Sequence, residues 1–212
     1  MSGTSRVVLV GAGGAGREVR AVIDTSPAWV SAHGVDRIVF VDDGATGPDV
    51  VSSVADYVPA EGDLVLCTVG DPSTRRRLTD RLALSGCRFG SFVHDRAVLC
   101  DGASVGEGTI VYPNAVISTD VEVGAHCFVN TAAVIGHDVV VGDHVTVSGA
   151  AQLLGGATVG DGVFVGPAAT VLPRARVGAD STVGAGSVVL RRVRPGTTVF
   201  GNPAVVISKK DS

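Results

Sequence analysis

From Phe92 to Val193 the chain divides into seventeen consecutive hexads, FVHDRA through VVLRRV, with no residue left over. The second residue of every hexad is Val, Leu or Ile, and the sixth is Ala, Ser, Thr, Cys or Val, in all seventeen. In a chain that is 45% hydrophobic, seventeen successive apolar hits at one position have odds of about one in a million. A six-residue period with one large and one small inward residue describes a short strand followed by a turn. Three such units close a triangular coil in which residues eighteen apart stack, and each coil buries what the next exposes. A sandwich of short strands would instead space its turns at about 8–12 residues with variable loops. Eight hexads carry Gly at the third position, which we assign to a corner that requires positive φ. The pattern therefore predicts a parallel β-helix over 92–193, with between five and six coils and no inserted loop.

Composition agrees. Only 4% of residues are aromatic, so aliphatic side chains must build the core, and the 29 glycines suit a fold with many tight corners. The net charge is −4 and no basic run exceeds Arg75-Arg76-Arg77, which argues against nucleic acid as a partner. Cys67, Cys87, Cys100 and Cys127 form no CxxC pair and no Cys/His metal spacing. Reduced thiols in a cytoplasm, with no metal, are the expectation. No basic-then-apolar leader and no apolar run of about 18 residues occurs, so neither a signal peptide nor a membrane span is expected.

Residues 1–91 follow a different rhythm. Strands are expected at Arg6–Val10, Arg37–Val41 and Asp63–Val69, with helices from the glycine loop to Ile23 and from Ser73 to Leu84. Strand–helix alternation implies a small parallel sheet. The loop Gly11-Ala12-Gly13-Gly14-Ala15-Gly16 lies after a strand and before a helix, where backbone N–H groups and a helix N-terminus can hold phosphate. A dinucleotide site with Asp42 on the ribose is the alternative. Against it, 91 residues are few for two mononucleotide halves, and Asp42 lies 31 positions after Gly11 rather than about 20 after the loop. Residues 194–212 are expected to form a C-terminal tail.

A glycine-rich α/β unit, Rossmann-like in its first turn, followed by a hexad β-helix resembles the hexapeptide-repeat acyltransferases. The resemblance is to their nucleotide-sugar N-acetyltransferase and sialic acid O-acetyltransferase branch. It is carried by GAGGAG at 11–16, VFVDD at 39–43, TVGDPSTRRRL at 68–78, FVNTAAVIGHDVVVGD at 128–143 and GNPA at 201–204. The resemblance implies that the β-helix is left-handed, that the protein is a homotrimer, and that coenzyme A lies between neighbouring β-helices. It implies an acetyl-CoA-dependent N-acetyltransferase acting on a nucleotide-linked amino sugar, with O-acetylation of sialic acid or a related sugar as the alternative. By resemblance, Gly11, Gly13, Gly14, Gly16, Asp42, Asp43 and Gly70 bind the nucleotide sugar, and Asn130 orients a substrate. Thr146, Gly155 and Pro167 are expected along the acetyl-CoA path. The chain departs from its relatives at Ala15, where they often have histidine, and at Gly136, where many have glutamate. At Thr146 they tend to carry a second histidine.

The resemblance makes His137 the base, and its chemistry suits that role. Direct transfer from a thioester to an amine needs a group that takes a proton as the amine attacks, and an imidazole does so near neutral pH. His137 occupies the fourth position of its hexad, outside the inward second and sixth positions, so its ring should lie at a corner. Asp138 follows directly and is expected to hold one ring nitrogen, while a backbone N–H one coil on, at Gly155, is a candidate donor to the developing oxyanion.

Overall fold

The computed structural model describes residues 5–209. The N-terminal unit opens with β1 (Ser5–Val10), whose Val7, Val8, Leu9 and Val10 are completely buried. A continuous apolar run of this kind belongs to a parallel strand covered on both faces. Helix α1 (Gly14–Asp24) buries Gly16, Val19 and Ile23, one helical stripe. The short α2 (Pro27–Ala32), β2 (Val35–Val41), β3 (Val50–Ser52), β4 (Asp63–Cys67) and α3 (Pro72–Leu84) follow. The four strands form one parallel sheet in the order β3-β2-β1-β4. Asp71 caps α3 by accepting the Thr74 N–H at 2.8 Å, with Pro72 in the first turn. Neither α2 nor β3 stands out in the sequence. The first turn of α2 is held by the β-helix, where Asp95 accepts from Ser26 Oγ at 2.6 Å and from the Ala28 N–H at 2.8 Å.

Eighteen two-residue strands, β5 (Phe92–Val93) to β22 (Arg192–Val193), build a parallel β-helix with three faces. Face one starts at Phe92, face two at Val98 and face three at Ser104, and up to β18 each strand pairs with the strand eighteen residues on, as Phe128 with Thr146 and Val134 with Gln152. No loop interrupts the coils between 92 and 189. From Val111 to Val189 every second-position residue is inside, and so is the small sixth-position set from Thr109 to Ser187. Only the open first coil departs, with Leu99 41% exposed.

The glycine assignment needs correction. Positive φ falls at the fifth position of the hexad, not the third, and it is adopted there by Asn114, Asp120, His126, Asp138, His144 and Arg174 as well as by glycines. Third-position glycines serve close approach instead. A Cβ on Gly106 would lie 2.6 Å from the Ala125 nitrogen of the next coil, and one on Gly124 2.6 Å from the Gly142 carbonyl carbon. The last coil also shortens. β22 pairs Arg192 with Arg176, so Val193 takes an inward strand position beneath Val177 rather than a corner. Beyond it, within the segment expected as a C-terminal tail, β23 (Thr197–Phe200) and β24 (Val205–Lys209) extend face one.

Face one is where the two units meet. Its outward Phe92, Ile110 and Phe128, with Tyr112, share one core with Val7, Leu9, Val19, Ile23, Trp29 and Leu66 of the N-terminal unit. Apolar burial of this extent ties the units together. Among the described residues no helix is long and apolar enough to cross a membrane.

Under α3, along the edge between faces three and one, His126 and His144 stack with ring centroids 5.1 Å apart. Both Nδ1 atoms are buried without a partner. Arg75, Arg76 and Asp80 approach the pair from α3, and Glu107 and Asp143 from the coils. Burial first, then the neighbouring His126 and the arginines, push His144 down to about 4, and burial lowers His126 as well. A histidine kept neutral in the fold but ordinary when unfolded binds fewer protons folded than unfolded at mildly acid pH. Its stability contribution is complete above about 6.5 and is lost as pH falls from there toward about 4. His144→Asn, which tolerates the φ of +57° at this position, should flatten the fall of Tm across that window in a pH series of thermal melts.

Candidate active site

His137 and Asp138 form the turn between face two and face three, the vertex of the triangle opposite face one. The turn is stitched to its neighbours by Asp138 N–H to Thr119 O at 3.1 Å and Gly156 N–H to His137 O at 2.8 Å. Asp138 has φ +58°, and its carboxylate lies 2.7 Å from His137 Nδ1. A carboxylate can only accept, so Nδ1 carries the hydrogen, and in the neutral ring the lone pair falls on Nε2. Both side chains are well exposed, at 70% and 66%, so the ring is reachable from solvent.

Nε2 is 2.5 Å from the point where a Cβ on Gly155 would stand. Any side chain there would displace the ring, so the glycine leaves the imidazole its place on the next coil. Gly156 and then Pro173 and Arg174 continue the ladder, and the Arg174 Cγ would lie 3.4 Å from a Cβ on Gly156. Together they line a shallow cleft of about 340 Å³ with His137 at one end and Arg174 at the other. Among the described residues no carbonyl accepts from the Gly155 N–H. Pro173 and Arg174 were not singled out from the sequence, although two steps of eighteen from His137 and Asp138 lead to them.

The other residues singled out from the sequence lie elsewhere. Asn130 and Pro167 occupy the turns between faces one and two, a different edge from His137, and Asn130 Nδ2 donates to Val147 O at 3.3 Å. Thr146, expected along the acetyl-CoA path, is buried on face one beneath the N-terminal unit. Its hydroxyl donates to Gly70 O at 2.9 Å and accepts from Arg75 at 3.0 Å. Cys127 fills an inward sixth position, where burial pushes its thiol up to about 12.

In the N-terminal unit, Gly11, Gly13, Gly14, Gly16, Asp42, Asp43 and Gly70 gather at the C-terminal end of the sheet, where open parallel sheets take ligands. A Cβ on Gly16 would overlap the Gly11 carbonyl, and Gly11 has φ +105°, so these two glycines shape the turn. Gly13, Gly14 and Gly70 face open space, and no side chain caps the first turn of α1. The acids have a role that sequence alone did not reveal. Asp42 accepts from the Ala12, Gly44 and Ala45 N–H groups at 2.8, 2.8 and 2.7 Å, bracing the loop after β1 against the loop after β2. The Ala12 N–H, then Gly44 and Ala45, hold its carboxyl below the usual carboxylate range against a smaller effect of burial. Asp43 accepts from the Val54 N–H at 2.8 Å. Thr68 adds a brace by donating to Val10 O and Gly11 O. Beside this frame a cleft of about 450 Å³ opens between α1 and the 45–50 loop, lined among others by Ala12, Arg17, Arg20, Phe40 and Pro48.

Comparisons with known proteins agree with this architecture. A family model described as bacterial transferase hexapeptide (six repeats) matches residues 156–191. UDP-N-acetylbacillosamine N-acetyltransferase of Bacillus subtilis (strain 168) is 37% identical over 109 residues, 49% of this chain and about half, 50%, of that relative's length. The acetyltransferase domain of PglB from Neisseria gonorrhoeae in complex with acetyl coenzyme A superposes with a TM-score of 0.89 at 28% identity, covering 97% of this chain and 100% of that one. PerB from Caulobacter crescentus in complex with CoA and GDP-perosamine gives a TM-score of 0.81 at 29% identity, covering 97% and 99%.

The Asp42 brace offers a first test. Losing a carboxylate that holds three N–H donors should cost about 2 kcal/mol, which for a chain of this size is roughly 4–8 °C in Tm. Asp42→Ala should show that loss in a thermal melt at neutral pH. The loss should shrink in acid, because a depressed carboxyl contributes its stability above the carboxylate range and gives it up as pH falls through its folded pKa.

Proposed function

We propose that this chain, a member of the hexapeptide-repeat acyltransferases, transfers the acetyl group of acetyl-CoA to the amine of a nucleotide-linked amino sugar. The observation that carries the reading is the His137–Asp138 pair, whose Nδ1 is engaged by the carboxylate while Nε2 faces a glycine-floored cleft, on a fold shared with a perosamine N-acetyltransferase. The amine attacks the thioester carbonyl and His137 Nε2 takes its proton. Asp138 holds Nδ1–H and stabilises the imidazolium. The Gly155 N–H donates to the oxyanion. As the C–S bond breaks, the imidazolium returns the proton to the departing sulfur, leaving an amide and coenzyme A. Likeness to a UDP-N-acetylbacillosamine N-acetyltransferase supports an amine, and not the hydroxyl of a sialic acid, as the acceptor.

The acceptor's nucleotide belongs, on this reading, to the N-terminal unit, which we take as a Rossmann-like half-site. Gly13, Gly14 and the α1 N-terminus meet the diphosphate, Gly70 flanks it, and Asp42 and Asp43 hold the loops in shape. A dinucleotide is disfavoured because the Asp42 carboxylate is occupied by backbone donors. We take the coil as left-handed, by its likeness to the same relatives, and the location as cytoplasmic.

The placement of the two sites supports an active unit of more than one chain. The N-terminal unit covers face one, whereas His137 stands at the opposite vertex. On either side of that vertex Val134 and Val140 are 36% and 43% exposed, and a contact with a second copy would cover them. We therefore take the active unit to be a homotrimer in which the His137 vertex of one subunit meets the acceptor site of its neighbour, with acetyl-CoA between them and Asn130 and Pro167 on the adjoining edge.

His137→Ala should lower kcat by about 10²–10⁴-fold with little change in Tm, since an exposed corner loses little packing. Asp138→Asn should cost less. Steady-state acetylation assays with UDP- and GDP-linked amino sugars measure both, and a wild-type rate in well-folded His137→Ala protein refutes the mechanism. The shared site has its own test. Co-expressing His137→Ala with a chain disabled in the acceptor loop, such as Gly13→Trp, should restore part of the activity that each lacks alone. Mixed oligomers that remain inactive would count against a site between subunits.

A further inference from the structure

Among the described residues Arg75 is the largest completely buried side chain, and no carboxylate among them is one of its hydrogen-bond partners. Its guanidinium has five N–H groups, and each meets an oxygen. Nε donates to His126 O at 2.7 Å, and Nη1 to Val69 O at 2.8 Å and Gly70 O at 3.1 Å. Nη2 donates to His144 O at 2.7 Å and to Thr146 Oγ1 at 3.0 Å. The fork also lies over the Phe128 ring, 5.0 Å from its centroid. Burying a cation is costly unless every donor is satisfied, and here neutral oxygens from two parts of the fold satisfy all five.

Those oxygens belong to two separate bodies. Val69 and Gly70 form the loop after β4 in the N-terminal unit, while His126, His144 and Thr146 belong to neighbouring coils of the β-helix. The Gly70 carbonyl is held twice, by Arg75 and by the Thr146 hydroxyl at 2.9 Å, while the Cβ direction of Gly70 faces open space. The loop is thus pinned from behind and free in front. Lysine could supply the charge but not five directed donors in a plane, so the planar fork is what the site uses.

We infer that Arg75 and Thr146 are positioning residues that set the Gly70 loop of the acceptor site against the β-helix. They fix where the nucleotide sugar sits relative to the coils without touching it. This rests on the reading of the N-terminal unit as the nucleotide-sugar site. A wandering Gly70 loop weakens acceptor binding and leaves the thioester side unaffected, because the His137 cleft is a separate vertex built on Gly155 and Gly156.

Thr146→Val removes one hydroxyl at nearly constant volume and leaves Gly70 O its bond from Arg75. Thr146→Ser keeps the hydroxyl. In steady-state assays with UDP- and GDP-linked amino sugars, Thr146→Val should raise KM for the acceptor about 3–10-fold, the span of one lost hydrogen bond. KM for acetyl-CoA and kcat at saturating acceptor should stay within about twofold. Thr146→Ser should restore the acceptor KM. Arg75→Lys should raise the same KM further, and the Arg75→Lys, Thr146→Val double variant should fall short of the product of the two effects, since both act on Gly70 O. If Arg75→Lys fails to fold, the Val and Ser pair still decides. An unchanged acceptor KM in Thr146→Val, or an equal rise for both substrates, overturns the positioning role while leaving the proposed function intact. Wild-type protein with no saturable dependence on any nucleotide sugar overturns the acceptor-site reading, and this inference with it.

Discussion

Backbone hydrogen bonds between coils eighteen residues apart are the constraint on which the rest of this protein depends. Val134 N–H to Ala151 O, Gly136 N–H to Leu153 O and Gly156 N–H to His137 O, at 2.9, 2.7 and 2.8 Å, are three rungs of one ladder. Because the ladder has no slack, the turn residues at each vertex become a column at fixed spacing. His137, Gly155 and Pro173 are such a column. The cleft beside His137 is therefore built from rigid corners and not from a loop that must be ordered, which favours the positional accuracy that proton transfer needs. The same ladder makes small residues obligatory wherever a side chain above needs room, as at Gly155 below the imidazole.

The second constraint is the single apolar face. Phe92, Ile110 and Phe128 point outward from face one, and burying them fixes where the N-terminal unit must sit. Once that face is covered, the vertex between faces two and three is the one farthest from the glycine loop. The separation of the two candidate half-sites thus follows from which outward positions are large and apolar. Seating the unit there also brings Arg75 against the His126 and His144 carbonyls, and a residue that reads as the first of three basic surface residues becomes the bolt between the two units.

Much of the fold was legible because the β-helix repeats a local rule. The second and sixth positions of each hexad pointed to the core, and they are the core wherever a neighbouring coil covers them. The exceptions have physical reasons. Leu99 lies at the open end, where no earlier coil exists. Val193 shifts because the last coil is shorter than its predecessors. The third-position glycines were assigned to positive φ, but the backbone turns left-handed at the fifth position even through Ala132, His144 and Arg174, and the glycines are there because the next coil approaches too closely for a Cβ. The order of strands and helices in the N-terminal unit also followed from its pattern, whereas α2 did not, since part of its first-turn hydrogen bonding comes from Asp95 of the β-helix.

The sequence by itself determined what depends on short-range periodicity: the coil, the residues that fill it, the glycine turn after β1, and a histidine held at a corner beside an aspartate. Each of these is set within a few residues or by an eighteen-residue step. Only the tertiary structure decided which backbone N–H groups Asp42 and Asp43 accept from, what Arg75 holds, and that Thr146 faces the N-terminal unit. These outcomes depend on partners far apart in the chain, 30 positions for Ala12 and Asp42, 51 for Arg75 and His126, and 76 for Gly70 and Thr146. Their meeting is settled by which faces bury apolar surface, and no local pattern encodes that.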